Sequence, residues 1–206
     1  MFGVEEGSEV LGPLFDLLDK PGTGRMVLLS GPSGSGKTRA CEALIAQART
    51  REMRLGGLLS PATFVGHEKM GIDLLNLVTS ERRRLARKVM GAPVGAFHDA
   101  LPGAHREDRL FVGEWEMDQA TLEWGNTCLG SLDSTDLLVI DELGPLEFVH
   151  GVGLIGAFEL LDKGHYRLAA VTVRPALVSK AKSRWPHAKV MGAETFTASD
   201  SFRLAE

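Results

Sequence analysis

The chain has 206 residues, 44% of them hydrophobic, which is enough for a substantial core, and its 23 basic against 27 acidic side chains leave a formal charge of -4. No global positive field draws nucleic acid or an anionic membrane, so any basic contact surface must be local. The opening "MFGVEEGSEV" lacks the basic and apolar regions of an export signal, no run reaches the roughly 18 apolar residues of a membrane span, and Cys41 and Cys128 form no CxxC pair, so the expectation is one domain in the cytoplasm.

In chain order, "GPLFDLLDK" predicts a helix starting at Pro13, where the missing N–H costs nothing, with Leu14, Leu17 and Leu18 on its apolar face. "RMVLLS" is a short buried strand. The glycine-rich "GPSGSGKT" follows, and then Cys41, Leu44, Ile45 and Ala48 fall on one face of a helix. Residues 55–79 read as an antiparallel hairpin about the turn "GHEK". "ERRRLARK", residues 81–88, reads first as a solvated charged face, with a phosphate-facing lid or an RNA contact as the sharper alternatives. A mobile lid is expected over about 79–110, centred on the glycine- and proline-rich "MGAPVGAFHDALPGAHRED". "DLLVIDE" is the clearest buried strand, "GLIGAFELLDK" a helix closed by Gly164, "YRLAAVTV" a strand and "PALVSKAKSRW" a helix opened by Pro175. Strands alternating with helices predict an α/β fold: a mostly parallel sheet flanked by helices, with the antiparallel hairpin appended.

Residues 31–38 match the pattern G-x-x-x-x-G-K-[ST] at every position, between a strand and a helix as that pattern requires. Gly31, Gly34 and Gly36 let the backbone approach a ligand with inward N–H groups, and the helix after them turns its positive end to the same place. Pro32, Ser33, Ser35 and Arg39 complete the expected binding segment. Lys37 would reach the terminal phosphates, and Thr38 would bind a magnesium ion. Magnesium then needs a protein carboxylate, which Asp141 can supply, directly or through a bound water, at the carboxyl end of "LLVIDE", where α/β sheets bind ligands. Glu142 beside it can orient, or take a proton from, a water aligned with the γ-phosphorus.

These stretches, with "GGLLSP", "GIDLLNLVTSERRRLAR", "VGEWEMD", "VIDELGPLEF" and "VTVRP" in that order, resemble the small P-loop nucleoside-triphosphatase family known from thermophiles and from vertebrates as cancer-related nucleoside-triphosphatase. The resemblance covers most of residues 26–197. It implies a fold like the RecA core and Mg2+-dependent hydrolysis of ATP, GTP and other nucleoside triphosphates. It implies Lys37 and Thr38 on phosphate and metal, Asp141 on magnesium and Glu142 as base, and it marks Glu147 as an acidic position of the family. Pro145 and the longer "LPGAHREDRLF" depart from the family pattern and bear on substrate preference.

Arg174, after "AAVTV", would sit at the ligand-facing end of the sheet and could stabilise transition-state charge, although a solvent-facing role fits it nearly as well. Trp115 reads as a core aromatic before a base-stacking one. The six histidines show no paired metal-ligand spacing. Two alternatives to hydrolysis stay open from the residues alone: a nucleoside or nucleotide kinase, and a nucleotide-dependent switch acting on RNA or a protein. The charge balance and the lack of interleaved basic and aromatic segments argue against RNA.

Overall fold

The computed structural model describes residues 8–89 and 110–192, with side chains from residue 12 onward. The stretch "MGAPVGAFHDALPGAHRED" lies outside the described residues. In chain order the elements are α1 (Ser8–Asp19), β1 (Arg25–Ser30), α2 (Lys37–Thr50), β2 (Leu55–Leu59), β3 (Ala62–Val65), β4 (Glu68–Asn76), β5 (Arg82–Lys88), β6 (Leu110–Val112), β7 (Trp115–Met117) and α3 (Gln119–Gly130). Then come β8 (Thr135–Leu143), α4 (Pro145–Phe148), α5 (Gly156–Lys163), β9 (Tyr166–Val173), a 3-10 turn (Pro175–Leu177), α6 (Val178–Arg184) and β10 (Lys189–Gly192). The expected helix at Pro13 begins earlier, so the proline lies inside α1 rather than at its first position.

All the strands join one mixed sheet in the order β10-β1-β9-β8-β2-β4-β5-β7-β6, with β3 also on β4. The first five are parallel to one another and the rest pair antiparallel. Helices cover both faces of the parallel part. Leu137 and Val139 of β8 and Leu168 and Ala170 of β9 pack with α1 and α2, whereas Leu138 and Ile140 of β8 and Ala169 and Val171 of β9 pack with α3 and α5. Strands buried on both faces are why these runs read as continuously apolar. The two-residue period then places Asp141 on the α2 face, one step beyond Val139. No helix among the described residues is long and apolar enough to cross a membrane.

The expected hairpin is present as β3–β4, while the run before it, β2, belongs to the parallel core. Gly57 makes that placement possible: its φ is 104°, and a Cβ there would sit 1.9 Å from the Val139 carbonyl oxygen. Antiparallel pairing continues past the hairpin into β5, β7 and β6.

Residues 82–88, within the expected lid of about 79–110, form strand β5 of the sheet. The basic run is spent on ion pairs across the sheet. Arg82 and Arg84 converge on Asp73 at 2.6 and 2.7 Å, Arg87 meets Glu116 at 2.8 Å, Lys88 meets Glu68 at 2.7 Å, and Arg83 meets Glu81 at 2.8 Å while lying over the Trp124 ring. Each exposed pair is worth little alone. Together they engage every cation of the run, which leaves the solvated-face reading in place of a phosphate lid. Trp115 packs against the core with Lys69 over its ring, as the core reading expects.

Candidate active site

The strand order brings the site together. β9 lies between β1 and β8, so the loop after β1, the acidic end of β8 and the residues ending β9 share one edge of the sheet. From β1 the chain enters the loop at Gly31, and Gly34 and Gly36 take the left-handed conformation, with φ of 78° and 89°. Gly36 is the N-cap of α2, so the helix starts at Lys37 and its positive end faces the loop. Pro32, Ser33, Gly34 and Arg39 are exposed, and Ser35 to Thr38 are half-buried. The Lys37 ammonium donates to the carbonyls of Gly31 and Pro32 at 2.8 and 2.7 Å, folding back over the loop it belongs to. Burial holds its pKa below the ordinary value, against the opposing pull of Glu142 and Asp141.

Asp141 is 2% exposed and fully engaged. Its Oδ1 accepts from the Thr172 hydroxyl at 2.9 Å and its Oδ2 from the Ser60 N–H at 3.1 Å, while the Ser60 hydroxyl donates to the Asp141 carbonyl at 3.1 Å. The Thr38 hydroxyl lies near this carboxylate and helps to lower its pKa. Thr38 and Asp141, 103 positions apart by number, therefore lie near one another. Burial pushes the Asp141 pKa up to about 6, Glu142 adds to the rise, and the Ser60 and Thr172 hydrogen bonds, with the nearby Thr38 hydroxyl, hold it back.

Glu142 has φ of 76°, unusual for a residue with a side chain. It lies in a bulge: Ile140 pairs with Val171 and Leu143 with Val173, so one extra residue is fitted between them. Without the bulge, Glu142 would follow Leu138 and Ile140 into the α3 and α5 core. With it, the carboxylate stays 41% exposed, 3.7 Å from the Arg174 guanidinium. That contact is long and half-exposed, so it restrains Glu142 only weakly. Arg174 follows β9 and is the N-cap residue of the 3-10 turn that begins at Pro175.

Glu147 is separate from this cleft. It is 6% exposed and receives the N–H groups of Gly144 at 2.8 Å and Leu154 at 2.9 Å, tying α4 to the loop before α5, and burial raises its pKa. Asn126 secures the same loop from α3, donating to the Gly153 carbonyl and accepting from Gly156 N–H. Glu147 is thus a brace for the segment after the acidic strand. Cys41 is fully buried behind the loop, and burial pushes its thiol well above the ordinary pKa, so it is no nucleophile. Ser60 and Thr172 are partners of the Asp141 carboxylate that sequence reading passed over. The one local signal was a polar residue at or next to the end of each buried run, in "GGLLS" and "AAVTV".

A magnesium ion fits these residues. Hard oxygen donors, one hydroxyl and one carboxylate, adjoin in a buried corner beside a phosphate loop, and the buried charge of Asp141 is one that a cation would compensate. No group of three or more His, Cys, Asp or Glu among the described residues could hold a metal by itself. One hydroxyl and one carboxylate would leave the other positions of a magnesium ion to phosphate oxygens and water.

The Asp141 shift has a testable sign. A carboxyl whose folded pKa lies above its unfolded value stabilises the fold below the unfolded pKa, near 3.8, and that contribution is lost as pH rises through about 6. Above pH 7 the loss is on the order of 2–3 kcal/mol. Asp141→Asn in metal-free buffer is accordingly expected to melt at or above the parent temperature at pH 7.5. The difference should close toward pH 4, where the parent carboxyl is protonated. A variant that melts well below the parent at pH 7.5 would show that the hydrogen bonds outweigh the burial.

Three comparisons bear on this geometry. A solution structure of a human cancer-related nucleoside triphosphatase superposes with a TM-score of 0.58 at 23% identity, covering 82% of this chain and 88% of that one, which supports the fold. The nucleoside-triphosphatase THEP1 of Caldivirga maquilingensis is 32% identical over 126 residues, 60% of this chain and 61% of that protein. The protein of the same name from Methanopyrus kandleri is 26% identical over 122 residues, 59% of this chain and 58% of that protein. The chain thus spans about three fifths of the length of the curated relatives it matches. The model of the NTPase family matches residues 26–188, from β1 to the approach of β10. With that match spanning most of its length, and with the phosphate loop and the acidic strand meeting at one edge of the sheet, the chain belongs to the NTPase family.

Proposed function

We propose that the protein hydrolyses the γ-phosphate of nucleoside triphosphates, ATP and GTP among them, with Mg2+ as cofactor. The observation that carries this reading is the approach of Lys37 and Thr38 to Asp141 while Glu142, the next residue, stays open to the cleft. The loop amides, Lys37 and the start of α2 bind the phosphates. Arg174 neutralises charge that develops on the transferred group, and Glu142 orients the attacking water and takes its proton. A bound magnesium ion would be held by Thr38 and Asp141 and would neutralise phosphate charge. Cys41 and Cys128 are both free thiols, which supports a reducing, cytoplasmic setting.

The test is phosphate release from ATP, GTP, CTP and UTP and from the corresponding diphosphates, with and without Mg2+ and with no acceptor but water. Release from triphosphates alone, lost on chelation, is the expected outcome. Triphosphate consumption that begins only when a nucleoside or nucleotide acceptor is added, with the phosphoryl group recovered on the acceptor and not as free phosphate, would replace hydrolysis by a kinase reaction.

A further inference from the structure

Thr172 is fully buried within β9, where its neighbours Val171 and Val173 show that a branched apolar side chain suits the strand. A hydroxyl there needs partners, and it has two. Its Oγ1 accepts the Glu142 N–H at 2.6 Å and donates its single proton to Asp141 Oδ1 at 2.9 Å. Those two bonds fix the hydroxyl rotor, and they span the bulge, since Asp141 and Glu142 together lie opposite Thr172. Held at φ of 76°, Glu142 adopts a backbone conformation that is strained for a residue with a side chain, so some contact must hold it there.

We infer that Thr172 is a positioning residue for hydrolysis: its hydroxyl locks the bulge and so presents the Glu142 carboxylate to the cleft. This rests on the hydrolytic reading above. With no exposed surface, Thr172 acts through Glu142 and Asp141 rather than by touching the nucleotide. Valine at this position would fill the same volume, leave the Glu142 N–H without its acceptor, and free the bulge to relax.

Thr172→Val is expected to lower kcat for phosphate release about 10- to 100-fold, with KM and the Kd of a fluorescent ATP analogue within about threefold of the parent. Thr172→Ser, which restores the hydroxyl, should return kcat to within about threefold. In a Glu142→Gln background, measured with enzyme in excess, Thr172→Val should cost less than about twofold more, because the two act as a unit. Unchanged kcat, a KM that rises in step with the loss, or a full multiplicative effect in the Glu142→Gln background would each overturn the role. If Thr172→Val does not fold, as judged by thermal melting, Thr172→Ala is held to the same criteria. A parent that releases no phosphate overturns both readings, whereas an active parent with a fully active Thr172→Val overturns the positioning role alone.

Discussion

Lys37→Ala is expected to weaken binding of a triphosphate analogue at least a hundredfold, ~2.8 kcal/mol or more, while the melting temperature moves by only a few degrees. The ammonium is held by the carbonyls of Gly31 and Pro32, and neither bond joins distant parts of the chain. Both acceptors belong to the loop, so their loss costs the fold little. For a polyphosphate the loss is larger. Lys37 faces Asp141 and Glu142, and without it the cleft would hold two carboxylates against Arg174 alone. An incoming triphosphate would then meet net repulsion. Lys37→Arg is expected to recover little, because a planar guanidinium does not fit where a compact ammonium folds over the loop. Fluorescence titration decides the matter, and parent-like affinity in Lys37→Ala would mean that the loop binds something other than phosphate.

Much of this was readable because the relevant signals are local. The strand, glycine loop and helix at 25–50 are contiguous, and so is the apolar run that ends in Asp141 and Glu142. Their meeting also follows from chain order once a parallel sheet is accepted, since ligands collect where its strands end. What escaped reading depends on partners distant in sequence. β5 looks like a charge run because only Leu85 and Ala86 in it are buried, while the acids that neutralise it come from Asp73, Glu68 and Glu116 on other strands. Thr172 looks like one more β-branched residue in an apolar strand until β9 is known to lie beside β8. The resemblance marked Glu147 only as an acidic position, and its role needs the turn into α4, which directs it at the Gly144 and Leu154 amides. The Glu142 bulge has no local mark at all, since glycine, the usual sign of a positive φ, is absent there.

That bulge underlies the second large effect. Glu142→Gln should keep affinity for nucleotide within about threefold and lower kcat about 100- to 10,000-fold, the range for removing a general base. The amide keeps the size and much of the hydrogen-bonding capacity of the acid but cannot accept the proton of an attacking water. The backbone should be undisturbed, because the Thr172 bond is made by the Glu142 N–H rather than by the side chain. Arg174 would lose its weak ionic partner, and since that pair is long and half-exposed, little stability should follow it. Single-turnover hydrolysis alongside a binding titration separates the two quantities. Intact binding with collapsed turnover assigns the proton transfer to Glu142. Intact turnover would move the base elsewhere, and the left-handed bulge would then need a reason other than catalysis.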